Sequence, residues 1–505
     1  MKPKREYQRS SGVLLPITTL HGPYGIGVIG PEAMKFIDFL CKAGFHAWQV
    51  LPVEHTGQSF SPYKCISAFA GDPMLIDPRM LREMGLVTTK ELSARARSMS
   101  ADYVKFELVR KKQYRLLRVA YSRLGGKPYA EFNPPWLDNY ALYMALKHRY
   151  DGKPWYEWPD DDVRSHDTKA IRRARDDLAV EINFHRFVQW LFDIQWRKLK
   201  KYAADHNITI VGDLPIYVSE DSAEVWSRRK LFNADADGNF LAVGGAPPDY
   251  FTPDGQLWGN PIYNWGLMKR GGYKWWIDRI ESAIERYDII RLDHFRGFEG
   301  YWSIPAQART AREGKWVKGP GIRLFKAMEE ALGKLPVIAE DLGDITDDVI
   351  ELLRETGFRG MRVMQFGFMG EDLHLPHNFD EKCVAYTGTH DNTTLLAWMF
   401  ELNPKDRKKA LLYTGFEGDW TIGGPNCALI KTWTRTLFMS GASLTIVPIQ
   451  DLLGYGSDTR TNIPGTPEGN WKFRMRSGAL DQIDAKFYAS LNKAYDRDNP
   501  AVPET

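Results

Sequence analysis

Tyr287-Asp288-Ile289-Ile290-Arg291-Leu292-Asp293-His294-Phe295-Arg296-Gly297 passes within a few residues from an apolar run into a cluster of charge. The run is too short for a helix and reads as a buried strand. Strand alternation then sets Arg291 and Asp293 on one face and Leu292 on the other. Comparable runs recur along the chain at Ala47–Val53, Ile208–Val211, Leu335–Ala339, Met361–Phe366, Val384–Tyr386 and Leu444–Val447. Helical patterns separate several of them: Trp275–Tyr287, Ile322–Leu332, Asp347–Glu355 and Cys427–Met439. An earlier helix starts at Gly30-Pro31, carries Met34, Ile37, Phe39 and Leu40, and stops at Gly44. Strands alternating with helices predict a parallel sheet. With Met74–Ile76 as a weaker eighth strand, the count fits a (β/α)8 barrel, though a doubly wound sheet satisfies the same pattern.

The chain has 505 residues, which an α/β barrel with insertions can use as one domain. Two stretches interrupt the rhythm. Residues 80–205 are charged and helical in pattern, a helical insertion. Residues 219–272 include a segment nearly free of periodicity but rich in aromatics, which predicts a functional loop over a cleft. The apolar share of 43% supports a large core. Lys+Arg 67 against Asp+Glu 64 leaves a net charge of +3, which argues against nucleic acid as partner. The N-terminal apolar run Gly12–Ile17 is interrupted at Pro16, and no stretch reaches signal-peptide or membrane-span length. Cys41, Cys65, Cys383 and Cys427 stand far apart without a C-x-x-C pair, so neither disulfides nor a thiolate metal site is indicated. These features predict a cytoplasmic protein with no membrane partner. Aromatics make up 13% of the chain and many lie in Gly/Pro-rich segments. Such residues serve as core filler or as platforms for ring-shaped ligands.

Three motifs suggest other chemistry. Gly25-Ile26-Gly27-Val28-Ile29-Gly30 is a literal G-x-G-x-x-G opening a helix. In a dinucleotide fold the first glycine follows the strand directly, whereas here the candidate strand stops near Pro16. An NAD-dependent oxidoreductase stays as a distant alternative. Asn233-x-Asp235-x-Asp237-Gly238 imitates half of an EF-hand loop, but its twelfth position is Gly244 rather than Glu; it reads as a turn. His374 and His377 flank Pro376 with no third ligand nearby, so no metal is expected.

The chemistry concentrates where apolar strands end in carboxylates. Arg291 beside Asp293 would lower its pKa and keep it ionised, although such a pair also serves purely structural ends. Pro336-Val337-Ile338-Ala339-Glu340-Asp341-Leu342-Gly343 ends another strand. Glu340 is placed for partial burial and a raised pKa, as a general acid needs, while Asp341 reads as surface. Tyr386-Thr387-Gly388-Thr389-His390-Asp391-Asn392 closes a third. Barrel enzymes place their chemistry at these C-terminal strand ends.

RLDHFRG, AEDLG and GTHDN, in that order, resemble the three catalytic segments of the amylomaltases, bacterial 4-α-glucanotransferases related to the α-amylase barrels. The likeness extends to GVLLPITTLHGPYGIGVIG, SPYKCISAFAGDP at 61–73, GDLPIYVSEDSAEVW at 212–226, GAPPDYFTPDGQLWGNPIYNW at 245–265 and PGTPEGNWKFR at 464–474. It implies a (β/α)8 barrel that transfers an α-1,4-glucan segment to the 4-hydroxyl of another glucan with retention. Asp293 would be the nucleophile, Glu340 the acid/base and Asp391 the stabiliser of the transition state. Arg291, His294, His390, Asp213 and Tyr63 would contact the sugar, and Asp249, Gln256 and Trp258 would belong to a loop over the cleft. The partners implied are α-1,4-glucans and maltooligosaccharides, and the chemistry requires neither metal nor organic cofactor. The chain departs from the family pattern at Glu54, His55, Gln58 and Phe60, which bears on acceptor-side or secondary glucan contacts, and at Thr393. A retaining α-glucan hydrolase would use the same carboxylates, and a non-catalytic glucan-binding module would need the aromatics alone.

Overall fold

Apolar runs bounded by polar residues cannot satisfy their backbone groups singly, and here they do so against one another. A computed structural model describes residues 8–235, 239–248 and 253–501. Its strands in chain order are β1 Ser10–Leu14, β2 Ala47–Gln49, β3 Thr209–Leu214, β4 Ala242–Ala246, β5 Gln256–Pro261 and β6 Ile289–Leu292. They continue with β7 Gly300–Pro305, β8 Lys315–Lys318, β9 Val337–Ala339, β10 Gly360–Val363, β11 Cys383–Tyr386 and β12 Leu444–Pro448. Eight form one parallel sheet in the order β10-β11-β12-β1-β2-β3-β6-β9. A parallel bridge between Ile338 and Arg359 joins the two ends, and the Ala339 N–H donates to the Arg359 carbonyl at 2.8 Å. The sheet is thereby a (β/α)8 barrel, and the doubly wound alternative falls.

The eighth strand is β1, between β12 and β2, and not Met74–Ile76. Pro73–Leu75 instead forms a 3₁₀ turn, in which the Asp72 side chain accepts from the Met74 N–H. Pro73 also removes a donor that a ladder would need. In the Ala47–Val53 run the strand ends at Gln49, with one further bond from the Val50 N–H to the Val211 carbonyl, and Met361–Phe366 leaves the sheet at Met364 to start a helical turn.

Inside the barrel, Val211, Ile289, Ile338, Met361, Val384 and Leu444 pack into one cluster supplied by alternate strand positions. Leu292 faces the outer core with Ile290 and Phe295, leaving Arg291 on the inner face as alternation requires. The connection from β2 to β3 carries the helices Pro78–Glu83, Thr89–Ala96, Phe106–Ser122, Leu137–Arg149, Thr168–Asp177 and Ala179–Asp205. The second of these starts in a capping box, Thr88 with Glu91.

The stretch expected as a loop contains β4 and β5. These strands join β7 and β8 in an antiparallel sheet of order β5-β4-β7-β8. Alternation is hidden because β4 reads AVGGA and its register shifts between Val243 and Gly245. A Cβ on Gly245 would lie 2.2 Å from the Gln256 carbonyl oxygen, so this close approach admits only glycine. Asp237 and Gly238 of the EF-hand-like segment lie outside the described residues; the Asp235 N–H donates to the Asn239 carbonyl in a turn. No described helix is long and apolar enough to cross a membrane.

Candidate active site

Asp213 ends β3 and Arg291 lies on β6, at positions paired in register. The Arg291 Nη1 donates to both Asp213 oxygens at 2.7 and 2.8 Å and to Asp293 Oδ1 at 3.0 Å. One guanidinium thus ties together two carboxylates. Burial opposes its charge, but Asp213 and Asp293 more than offset this and raise its pKa. Asp213 is completely buried, whereas the Asp293 side chain keeps 24% of its surface open to the cleft. The buried pair is therefore structural support for the half-open one.

Burial pushes the Asp293 carboxyl up to about 7, with Arg291 pulling down and Asp213 and Asp391 pushing further up. This corrects the expectation that the guanidinium leaves Asp293 with a lowered pKa. Arg291 limits the rise, and desolvation wins. At the end of β9, burial pushes Glu340 higher, to about 8, against the pull of Arg291 and with a further push from Asp293. Its Oε2 accepts the His294 N–H at 2.7 Å. His294 makes that bond from a left-handed backbone conformation, φ 51°, a strain typical of functional sites. Burial lowers the His294 imidazole to about 3, so it is neutral. Burial raises both carboxyls, and the direct Arg291 contact favours the ionised form of Asp293 over that of Glu340.

On the other side of Asp293, the Tyr63 hydroxyl donates to Asp213 Oδ2 at 2.7 Å and lies 2.8 Å from His390 Nε2. The two rings stack at 5.3 Å with 14° between their planes. Burial lowers the His390 pKa. A neutral His390 with its proton on Nε2 satisfies this chain, because the Tyr63 proton is committed to Asp213. Asp391 follows at the end of the β11 loop, half open to the cleft. Its Oδ1 accepts from Asn462 Nδ2 at 2.6 Å, and its carbonyl accepts from Arg460 Nη2 at 2.6 Å. Asn462 and Arg460 escaped the sequence reading; they belong to the polar stretch just before Pro464, about seventy residues from the group they hold.

Trp258 and Gln256 sit on β5, joined by the indole N–H donating to Gln256 Oε1 at 3.1 Å. The Trp258 ring meets His294 edge-on at 4.9 Å. Asp249 lies outside the described residues, as do Tyr250 and Phe251. Asp341, expected at the surface, is buried: its carboxylate accepts the Met361 N–H at 2.5 Å and pairs with Arg362 at 3.1 Å. It braces β10 and takes no place in the cleft. Among the family departures, Glu54 pairs with Arg286 at 2.7 Å and His55 with the Tyr140 hydroxyl at 2.7 Å, both inside the packing. Gln58 and Phe60 line the cleft. His374 Nδ1 accepts the Val363 N–H and His377 meets the Tyr413 hydroxyl, so neither histidine is arranged toward the other. No group of three metal-binding side chains occurs among the described residues.

Asp293, Glu340 and Asp391 open together into a cleft of about 2170 Å³ that runs across the barrel mouth. Small-molecule sites usually hold about 300–1,000 Å³, so this one is sized for a chain. A barrel with three carboxylates at or just beyond the C-terminal ends of its strands, in a cleft of this size, fits the glycoside-processing class of enzyme. Comparison narrows this further. Residues 15–481 match the family model described as 4-alpha-glucanotransferase, glycoside hydrolase family 77, and the chain belongs to that family. It is 42% identical over 502 residues to a 4-alpha-glucanotransferase of Streptococcus pneumoniae, covering 97% of this chain and 98% of that protein. It is 43% identical over 507 residues to a Thermus thermophilus 4-alpha-glucanotransferase, covering 97% and 100%. The amylomaltase from Streptococcus agalactiae in complex with acarbose superposes with a TM-score of 0.93 at 38% identity, covering 97% of this chain and all of that one.

Proposed function

We propose that the three carboxylates divide the work of a retaining double displacement on α-1,4-glucans. In the first step the Asp293 carboxylate attacks the anomeric carbon. Glu340 gives its proton to the departing glycosidic oxygen, so the leaving chain exits as an alcohol and a covalent glycosyl ester remains. In the second step the Glu340 carboxylate takes the proton from the 4-hydroxyl of an incoming glucan, which attacks the ester and releases Asp293. Asp391, fixed by Asn462, binds sugar hydroxyls more strongly as the ring flattens, which lowers the barrier without tightening substrate binding equally. Arg291 and Asp213 hold the nucleophile in place; Tyr63 and His390 shape the pocket for the reacting sugar, and Gln256 and Trp258 wall it from β5.

The single observation that carries this reading is the Arg291 guanidinium bridging Asp213 and Asp293, with Glu340 held beside them by the His294 N–H. One carboxylate is thereby poised as nucleophile and the other as acid. The test is chemical trapping. A fluorinated α-glucosyl donor, whose ester hydrolyses slowly, is incubated with the enzyme, and the labelled peptide is sequenced by mass spectrometry. The adduct belongs on Asp293; label on Glu340 or Asp391, or none, refutes the assignment.

A further inference from the structure

Beyond Glu340 the cleft continues along the antiparallel sheet, where it meets an aromatic side chain that the mechanism does not use. Trp316 on β8 is 39% exposed and lines the cleft. One exposed aromatic does not by itself mark a site; what distinguishes this ring is that its neighbours hold it in the cleft wall. The Arg296 guanidinium lies 3.6 Å from the centre of its ring, within the range of a cation–π contact. Arg296 is itself fixed, donating to the Asp344 carbonyl at 2.6 Å and pairing with its carboxylate at 3.4 Å. Trp302 packs edge-on against Trp316 at 5.1 Å and 72°, and its Nε1–H donates to the Ala311 carbonyl at 2.8 Å. The ring is therefore held on one face and along one edge before any ligand arrives. Such preorganisation is what a stacking platform needs.

Its place along the cleft has a direction. Tyr63 and His390 are tied to Asp213, the buried partner of Arg291, and Asp391 follows His390 directly; in the proposed mechanism these residues face the sugar that is attacked. His294, Glu340, Arg296 and Trp316 form a second connected set, through the His294 N–H on Glu340 and the Arg296 guanidinium on Trp316. In the proposed mechanism Glu340 marks where the departing chain leaves and the incoming chain enters. Arg296 follows His294 by two residues, so one turn both holds the acid/base, through the His294 N–H on Glu340, and seats the platform, through Arg296 under Trp316. Arg296 also binds Asp344, four residues after Glu340 on the same loop.

We propose that Trp316, seated on Arg296, is a binding platform for a glucose ring of the acceptor chain beyond its first sugar, and that it sets the preference for chain acceptors over free glucose. This rests on the assignment of Glu340 as acid/base. Stacking one ring on an aromatic is worth roughly three- to tenfold in affinity. The experiment compares maltotetraose and glucose as acceptors from one common donor, in wild type, Trp316→Ala and Trp316→Phe. The advantage of maltotetraose over glucose falls roughly three- to tenfold in Trp316→Ala, and Trp316→Phe restores most of it. Because the result is a ratio within each variant, partial loss of folded protein cancels. A ratio unchanged in Trp316→Ala overturns the platform while leaving the mechanism standing. Wild type that transfers to neither acceptor overturns the assignment of the site itself, a result the ratio keeps apart.

Discussion

Replacing Glu340 with Gln keeps the shape of the site and removes its proton donor. The His294 N–H can still donate to the amide oxygen, as it does to Oε2 at 2.7 Å, so the local fold persists. The productive enzyme has Asp293 ionised and Glu340 protonated. Burial raises both groups, to about 7 and about 8, so the singly protonated pair is the main form in the neutral range. Activity of the wild type therefore follows a bell, with an acid limb from Asp293 and an alkaline limb from Glu340. In Glu340→Gln the rate on maltotriose falls about 10²–10⁴-fold, and the alkaline limb disappears. A nitrophenyl maltoside needs no protonation of its leaving group, so release of nitrophenol in the first turnover is largely spared. The assay measures initial rates on both donors from pH 5 to 10. Equal losses on the two donors, or an alkaline limb that survives the substitution, would refute the role of Glu340.

Four further outcomes follow from the same geometry. Asp293→Asn loses several decades of activity, since no ester can form; a variant keeping more than about a tenth of the wild-type rate sinks the nucleophile assignment. Arg291→Met leaves Asp213 buried without its partner, and urea unfolding reports a loss of about 3–5 kcal/mol; an unchanged midpoint contradicts the ion-pair reading. The raised pKa of Glu340 means that its ionisation opposes folding, so its stabilising contribution is complete below pH 4 and is lost as pH rises through about 8. Glu340→Gln is accordingly more resistant to urea than wild type at pH 9, and no difference there argues against the burial that raises this group. Trp258→Ala, which opens the wall next to His294, shifts products toward hydrolysis; an unchanged ratio of transfer to hydrolysis removes Trp258 from water exclusion.

How much was legible before the structure depended on where the signal lay. Ile289–Leu292 and Ile322–Leu332 occur with the bounds expected, because charged or glycine residues delimit runs whose period is unambiguous. Ser10–Leu14 carries a weak strand signal because it is short and Pro16 follows it closely. β4 and β5 were hidden because AVGGA and QLWGNP carry no alternation, and their sheet is assembled from connections on both sides of β6. Asp341 looked exposed next to Glu340, but its neighbours Met361 and Arg362 come from β10, a contact that only barrel closure creates. The positions of the carboxylates were readable, since Asp293 and Glu340 directly follow apolar strands and Asp391 closes the loop after a third. Their charge states were not: the desolvation that lifts Asp293 above its expected range is a property of the assembled mouth.

The most direct test of the account is to incubate the purified protein with maltotriose alone, separating products by size while counting reducing ends. Water is present at about 55 M, so transfer requires the cleft to orient a sugar hydroxyl far better than solvent. The account predicts glucose together with chains longer than maltotriose, and a nearly constant number of reducing ends. Products that are only shorter, with reducing ends rising steadily, would make the protein a hydrolase and contradict it.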